Sequence, residues 1–206
     1  MITKIVLTGG PCAGKTTALS LIKTEFKKRG YEVLLVSETA TELMEGGLTP
    51  LSCGSNLDYQ KCQVQFQWFK ERIFEQGARS MQADKVLIVC DRGVIDNKAF
   101  MTEEEFRICL QLLHSNEMAE LERYDAVFHL ETAAKGALEA YTLSNNKTRT
   151  QSPDEAICIN ERNIVAWSNH KYFRIIDNVG GFNHKLNRLI NEISVFLNKQ
   201  EQDELA

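Results

Sequence analysis

The chain has 206 residues, 43% hydrophobic and 25% charged, which is ordinary for a globular domain and enough for one core. Its net charge of −4 leaves no basic footprint for a nucleic-acid partner. No apolar run approaches the roughly 18 residues that a membrane span needs.

A strand pattern begins almost at the first residue, so no signal peptide is expected. Six cysteines, at 12, 53, 62, 90, 109 and 158, show no metal-ligand spacing. They read as free buried thiols of a cytoplasmic protein. Five short apolar runs predict strands at Lys4–Thr8, Glu32–Ser37, Lys85–Cys90, Ala126–Glu131 and Tyr172–Asp177. Val33-Leu34-Leu35-Val36 and Val86-Leu87-Ile88-Val89 are continuous rather than alternating, the pattern of strands buried on both faces. The expected class is α/β, a parallel sheet between helices, in one domain over residues 1–198. A polar tail, 199–206, is expected to fray.

The first strand run leads into Gly9-Gly10-Pro11-Cys12-Ala13-Gly14-Lys15-Thr16, which matches the P-loop Gly-x-x-x-x-Gly-Lys-[Ser/Thr] at every required position. A helical run, Thr17 to Arg29, follows. Strand, glycine loop and helix together form an anion cradle of backbone N–H groups and a helix N-terminus. Residues Gly9 to Thr17 are therefore the candidate nucleotide-phosphate site. Lys15 can reach the β and γ phosphates, and the Thr16 hydroxyl can ligate Mg²⁺.

Glu38 follows the second strand, at the carboxyl edge where ligands of open α/β sheets gather. It can orient or deprotonate a substrate hydroxyl; the alternative is a carboxylate that favours the next helix dipole. Thr39-x-x-Glu42 reads as a capping box, as do Thr102-x-x-Glu105 and Ser152-Pro153-x-Glu155. Gly46–Asn56 is a glycine- and proline-bearing loop, a candidate substrate flap. A long helix is predicted from Leu57 to Gln76, with Cys62, Phe66, Phe69 and Ile73 as its core stripe. Tyr59, Gln63, Gln67, Trp68 and Arg72 share that helix, and some of them could line a pocket.

Asp91 ends the third strand directly after four apolar residues and a cysteine, a Walker-B position suited to holding Mg²⁺ with Thr16. Arg92 can clamp a substrate or a transferring phosphoryl group, or be a salt-bridged loop arginine. The polar segment 141–151 is a candidate lid. Lys147, Arg149 and Arg162 form its basic group, with Arg149 and Arg162 as candidate catalytic cations. Asp177 and Asn178 close the fifth strand, where a nucleotide base would rest. His114, His129, His170 and His184 read as structural or surface residues. The last helix carries Leu186, Leu189, Ile190, Ile193 and Leu197 on one stripe.

Ile-Val-Leu-Thr-Gly-Gly-Pro-Cys-Ala-Gly-Lys-Thr-Thr, Ser-Glu38-Thr-Ala, Cys-Asp91-Arg92-Gly, Arg149-x-Gln-Ser-Pro-x-Glu-Ala and Ile-Asp177-Asn178 follow one pattern along nearly the whole chain. It resembles the small AAA domain P-loop family related to the kinase domain of bacterial NAD-regulator proteins and to TRPL-translocation-defect-like proteins. The resemblance implies a three-layer αβα P-loop NTPase fold, kinase-like, with a five-stranded parallel sheet in the order 2-3-1-4-5. It also implies substrate roles for Asp91, Arg92 and Glu38. The adenylyltransferase domain of the NAD regulators is not expected within these 206 residues, which have neither the length nor the His-x-x-His-type motif for it. The guanine-reading Asn-Lys-x-Asp is absent, because Asn146-Lys147-Thr148-Arg149 lacks the acid.

The expected function is an ATP- or GTP-binding, Mg²⁺-dependent phosphotransferase. Its partners would be a nucleotide and a small hydroxyl-bearing acceptor such as a nucleoside or riboside. The alternative is a nucleotide switch or slow NTPase that acts through a protein partner. A closed acceptor cavity near Glu38 and Arg92 would separate the two. Oligomeric state is left open.

Overall fold

The computed structural model describes residues 1–140 and 152–205. The candidate lid, with Lys147 and Arg149, lies outside the described residues. Five strands, β1 (Ile2–Gly9), β2 (Glu32–Val36), β3 (Val86–Asp91), β4 (Ala126–Leu130) and β5 (Phe173–Ile176), form one parallel sheet in the order β2-β3-β1-β4-β5. This is the three-layer αβα arrangement with the strand order expected. The three central strands are buried along almost their whole length, which explains their continuous apolar sequence.

Seven helices flank the sheet in the described residues: α1 (Lys15–Lys28), α2 (Thr39–Glu45), α3 (Asn56–Ser80), α4 (Glu103–Leu112), α5 (Glu117–Glu122), α6 (Pro153–Trp167) and α7 (Phe182–Leu205). On one face Ile5, Leu7, Val89 and Phe128 pack against Ile22 and Phe26 of α1 and Leu189, Ile193 and Leu197 of α7. On the other, Val6, Ile88, Cys90 and Val127 pack against Val64 of α3, Phe106 of α4 and Trp167 of α6. The last-helix stripe is thus core. A 3-10 segment, Val94–Phe100, links β3 to α4.

Register brings the strand ends to one edge. Leu7 of β1 lies beside Asp91 of β3, Gly9 beside Leu130 of β4, and Leu130 beside Ile176 of β5. The phosphate loop, Asp91 and the β5 exit therefore open on the same side.

Several expectations are corrected. The stripe Cys62, Phe66, Phe69 and Ile73 faces away from the core: Phe69 is 57% exposed and Ile73 48%. The inward face of α3 is largely polar, with Gln60, Gln63, Gln67, Lys70 and Glu71 buried beside Tyr59 and Val64. Gln67, Lys70 and Glu71 are satisfied in place. Glu71, fully buried, pairs with Arg123 at 3.0 Å and Lys4 at 3.4 Å, and accepts from the Tyr124 hydroxyl at 2.9 Å. Periodicity finds an apolar face but cannot reveal that a hydrogen-bonded polar face competes for the interior.

The capping boxes at Thr102 and Ser152 form, the latter with Pro153 in the first turn. That at Thr39 does not. Glu38 is the N-cap residue of α2, the Thr39 hydroxyl donates to Gln67, and Glu42 pairs with Lys70. Of the cysteines only Cys90 and Cys109 are buried; Cys62 and Cys158 are exposed, Cys12 and Cys53 half-buried. The tail does not fray at Lys199, because α7 runs to Leu205. Glu201 there accepts from Lys85 at 2.6 Å and from the Tyr31 hydroxyl.

Candidate functional site

The glycine loop leaves β1 under tight steric control. Gly9 has φ +146°, and a Cβ there would collide with the Leu130 carbonyl. Gly14 has φ +87° and lies directly against the Phe182 ring. Cys12 also adopts positive φ, at +55°, which costs a non-glycine residue about 1–2 kcal/mol. The strain is held by contacts from outside the loop. The Thr132 hydroxyl donates to the Pro11 carbonyl. Asn160 Oδ1 accepts from the Thr132 N–H at 3.0 Å and faces His129 Nε2 at 2.9 Å. Lys185 Nζ donates to the Ala13 carbonyl at 3.1 Å.

Helix α1 starts at Gly14 with no side-chain cap and no acidic residue in its first turn. The positive end of the helix dipole there favours an anion. Thr16 and Thr17 sit in that first turn, and Lys15 is almost wholly buried.

Asp91 lies 8% exposed at the end of β3. Its Oδ1 has no hydrogen-bond partner among the described residues. Burial pushes its carboxyl up to about 6, against the nearby Lys15 ammonium and with help from the Glu38 charge. A buried oxygen of this kind, at the same sheet edge as the Thr16 hydroxyl, suits a hard divalent cation. Thr16 and Asp91 are the residues that fit Mg²⁺.

Arg92 has φ +69°. Its N–H still reaches the Leu7 carbonyl at 3.1 Å, and its own carbonyl accepts from Gln67 Nε2 at 3.1 Å. The guanidinium donates through Nε to Glu38 Oε1 at 2.8 Å and lies 3.3 Å from Asp96 Oδ1. Asp96 is held by the Gly93 N–H at 2.8 Å, Trp167 Nε1 at 3.1 Å and the Thr8 hydroxyl. Burial alone would raise the Glu38 carboxyl, but the charges of Arg92 and Lys15 hold it down at about 2.

These groups close one end of a cavity of about 280 Å³, near the lower limit of small-molecule sites. Lys15, Glu38 and Arg92 line its phosphate-loop end. Gln60, Gln63 and Tyr59 of α3 form a wall, and Asn97 and Phe100 also line the cavity. Met44 of α2 and Pro50 of the Gly46–Asn56 loop add to the lining. Gln60 Oε1 and Asn97 Oδ1 are buried there with no partner among the described residues.

Residues 4–185 match the AAA domain family. The chain belongs to the AAA domain family. No curated protein matches the sequence. Among solved structures, this AAA domain is similar in fold to the deoxyadenosine kinase of M. mycoides, solved with bound dATP. The TM-score is 0.58 at 15% identity, over 93% of this chain and 99% of that one. The fold of this AAA domain is thus that of a P-loop nucleoside kinase. Among the described residues no helix is long and apolar enough to cross a membrane.

The sequence-derived candidates of the AAA domain fall into groups. Lys15, Glu38 and Arg92 meet at the cavity, with Asp91 beside them. Asp177 and Asn178 lie at the β5 exit, and their side chains are engaged by the protein. Asp177 pairs with Arg188 at 2.6 Å, while Asn178 Nδ2 donates to the Thr132 and Lys135 carbonyls. Arg162 is exposed on α6 and does not line the cavity. Sequence reading missed Gln60, Asp96, Asn97, Asn160 and Lys185. Asp96 carried a legible signal, an acid four residues after Arg92 and directly after the apolar pair Val94-Ile95.

Proposed function

We propose that this AAA domain is a nucleoside-triphosphate-dependent kinase of a small hydroxyl-bearing acceptor of the nucleoside or riboside class. One observation carries the reading: a half-open cavity of about 280 Å³ joins the phosphate loop, through Lys15, to the Glu38–Arg92 pair. A switch that works through a protein surface has no need of a polar recess of this size beside its phosphate loop. The amide-rich wall suits a flat heteroatom-bearing group. Gln60 Oε1 and Asn97 Oδ1 await hydrogen-bond donors, and leaving them unpaired is costly.

In this reading the backbone N–H groups of the loop and the Lys15 ammonium hold the donor phosphates. Bound Mg²⁺, held by Thr16 and Asp91, supplies charge neutralisation on the phosphate oxygens. Glu38 accepts a hydrogen bond from the acceptor hydroxyl and aims its oxygen at the γ-phosphorus. The new O–P bond forms as the bridging β–γ O–P bond breaks, and the nucleoside diphosphate leaves. The hydroxyl proton passes to Glu38 and then to water. A carboxyl held at about 2 is a weak base. Glu38 therefore acts mainly by orientation, which suffices for a loose phosphoryl-transfer transition state. Arg92 fixes Glu38 and adds positive charge beside the transferring group. Asp177 and Asn178 shape the loop against which the donor base lies; the choice between ATP and GTP belongs to that loop.

The test is incubation with Mg-ATP or Mg-GTP and a nucleoside and riboside library, followed by mass spectrometry. Products heavier by one phosphoryl group are expected. Phosphate release that no acceptor stimulates would overturn the kinase reading in favour of an NTPase.

A further inference from the structure

Lys185 lies in the first turn of α7 and is 2% exposed. Its ammonium has three hydrogens and three acceptors: the Ala13 carbonyl at 3.1 Å, Asn178 Oδ1 at 2.8 Å and the Glu131 carbonyl. The first is in the phosphate loop, the second at the β5 exit, the third at the end of β4. All three are neutral. Among the described residues no carboxylate lies within ion-pair distance of Nζ. A buried ammonium with only neutral acceptors is costly, and the cost is offset when an anion arrives nearby. The same helical turn touches the loop a second time, where the Phe182 ring fills the space beside Gly14.

We propose that Lys185 is a positioning residue that ties the phosphate loop to the base-side loop, so that donor-nucleotide affinity depends on its ammonium charge. This rests on the reading of the glycine loop as the donor site. The role is distinct from that of Lys15, which faces the cavity. Lys185 fixes the Ala13 carbonyl, and with it the path of the loop backbone. Through Asn178, which also holds Thr132 and Lys135, it sets where the base-side loop stands relative to that cradle.

The charged groups around it are Glu131 just past β4, Lys15 from α1, Asp177 from the β5 exit and Arg188 from α7 itself. Burial lowers the Lys185 ammonium to about 8; Glu131 opposes this, and the Lys15 and Arg188 charges add to it. A bound polyphosphate favours the charged form. Donor binding then takes up protons above neutrality, and affinity falls as pH rises through about 8. The neutral amine loses the charge and one of its three hydrogens.

The experiment measures binding of Mg-ATP and Mg-GTP by calorimetry between pH 7 and 9.5, in buffers of different ionisation enthalpy. It uses the full chain as wild type, Lys185→Met and Lys185→Arg, with circular dichroism as the check of folding. The wild type should lose about tenfold in affinity over this range and take up protons near pH 8. Lys185→Met should bind about tenfold or more weakly at pH 7, with a flatter profile. Lys185→Arg, which stays charged, should lose less affinity at pH 9.5 than the wild type. A Lys185→Met chain that is folded and matches the wild type in affinity and pH profile overturns the proposal. If neither variant folds, the wild-type profile decides alone, and one that is flat with no proton uptake overturns it. A wild type that binds neither nucleotide removes the donor-site reading as well, which separates that failure from failure of the Lys185 role.

Discussion

Arg92 Nε donates to Glu38 Oε1 at 2.8 Å, joining the exits of β3 and β2 across one end of the cavity. The Thr41 hydroxyl holds the other Glu38 oxygen at 2.8 Å. Both carboxylate oxygens are thus fixed by neighbours rather than by solvent. Glu38→Gln keeps the shape and removes the charge. Acceptor phosphorylation should fall by about a hundredfold or more, while donor affinity stays within a few fold. Steady-state kinetics paired with nucleotide calorimetry reads both, and an unaltered rate would remove Glu38 from the mechanism.

The same pair predicts an acid limb of stability. The folded Glu38 pKa, about 2, lies below its ordinary value of 4.5. A depressed carboxylate contributes stability that is present above the unfolded value and lost as pH falls through the folded one. Thermal unfolding of the wild type should therefore weaken between about pH 4.5 and 2, and Glu38→Gln should show a shallower slope in that window. Equal slopes would mean that the pair is broken in solution.

Lys15→Ala should abolish detectable Mg-nucleotide binding with the fold retained, because the side chain lies at the loop and outside both apolar clusters. Calorimetry alongside circular dichroism is the check, and unchanged ATP and GTP affinity would refute the site.

Gln67 joins three parts of the site. It accepts from the Thr39 hydroxyl, and its Nε2 donates to the Arg92 carbonyl at 3.1 Å and to Glu71 at 2.8 Å. Gln67→Leu leaves these buried partners unmet and should cost about 1–3 kcal/mol of stability. It should also lower the phosphorylation rate more than donor affinity, since Arg92 loses the contact that holds its positive φ. Denaturant unfolding and a comparison of rate with affinity test the two parts separately.

How much of this was legible in the sequence depends on whether a role is written locally. The phosphate loop, Asp91, Arg92 and the strands are contiguous patterns whose chemistry fixes the residue types. The parallel sheet follows from runs such as Val86–Val89, which no half-exposed strand would carry. Lys185 was invisible because its partners are two backbone carbonyls and an amide from three different elements, and a carbonyl leaves no signature in sequence. Thr39 and Glu42 matched a capping box by spacing, but Gln67 and Lys70 offered them partners that only tertiary packing brings near. The inward face of α3 was misread for the same reason.

Asp91 carries a conflict between stability and function. Its folded pKa, about 6, is above the ordinary value of 3.8, with burial as the first cause. The sign is opposite to that of Glu38. Ionisation of the buried group destabilises the fold as pH rises from about 4 through 6, and the cost persists at neutral pH. Asp91→Asn removes it at nearly constant shape. In the absence of divalent metal that variant should be more stable at pH 7.5, by on the order of 2 kcal/mol, with the gain fading below about pH 5. It should also lose Mg²⁺-dependent turnover. Addition of Mg²⁺ with nucleotide should narrow the stability gap, since the wild type alone gains a ligand for its free oxygen. A variant less stable than the wild type at pH 7.5 without metal would show that Asp91 is already paired in the free protein.

The orientation of α3 makes a cheap and decisive comparison. If the stripe containing Phe69 were core, Phe69→Ser would cost about 3–5 kcal/mol. The ring is 57% exposed, whereas Val64 on the same helix is fully buried. Phe69→Ser should therefore cost less than about 1 kcal/mol. Val64→Ser places an unpaired hydroxyl and a void between α3 and the sheet, and should cost at least about 2 kcal/mol. Denaturant unfolding of the two variants gives the order directly. The reverse order would put the amide face outside and dismantle the cavity wall formed by Gln60 and Gln63.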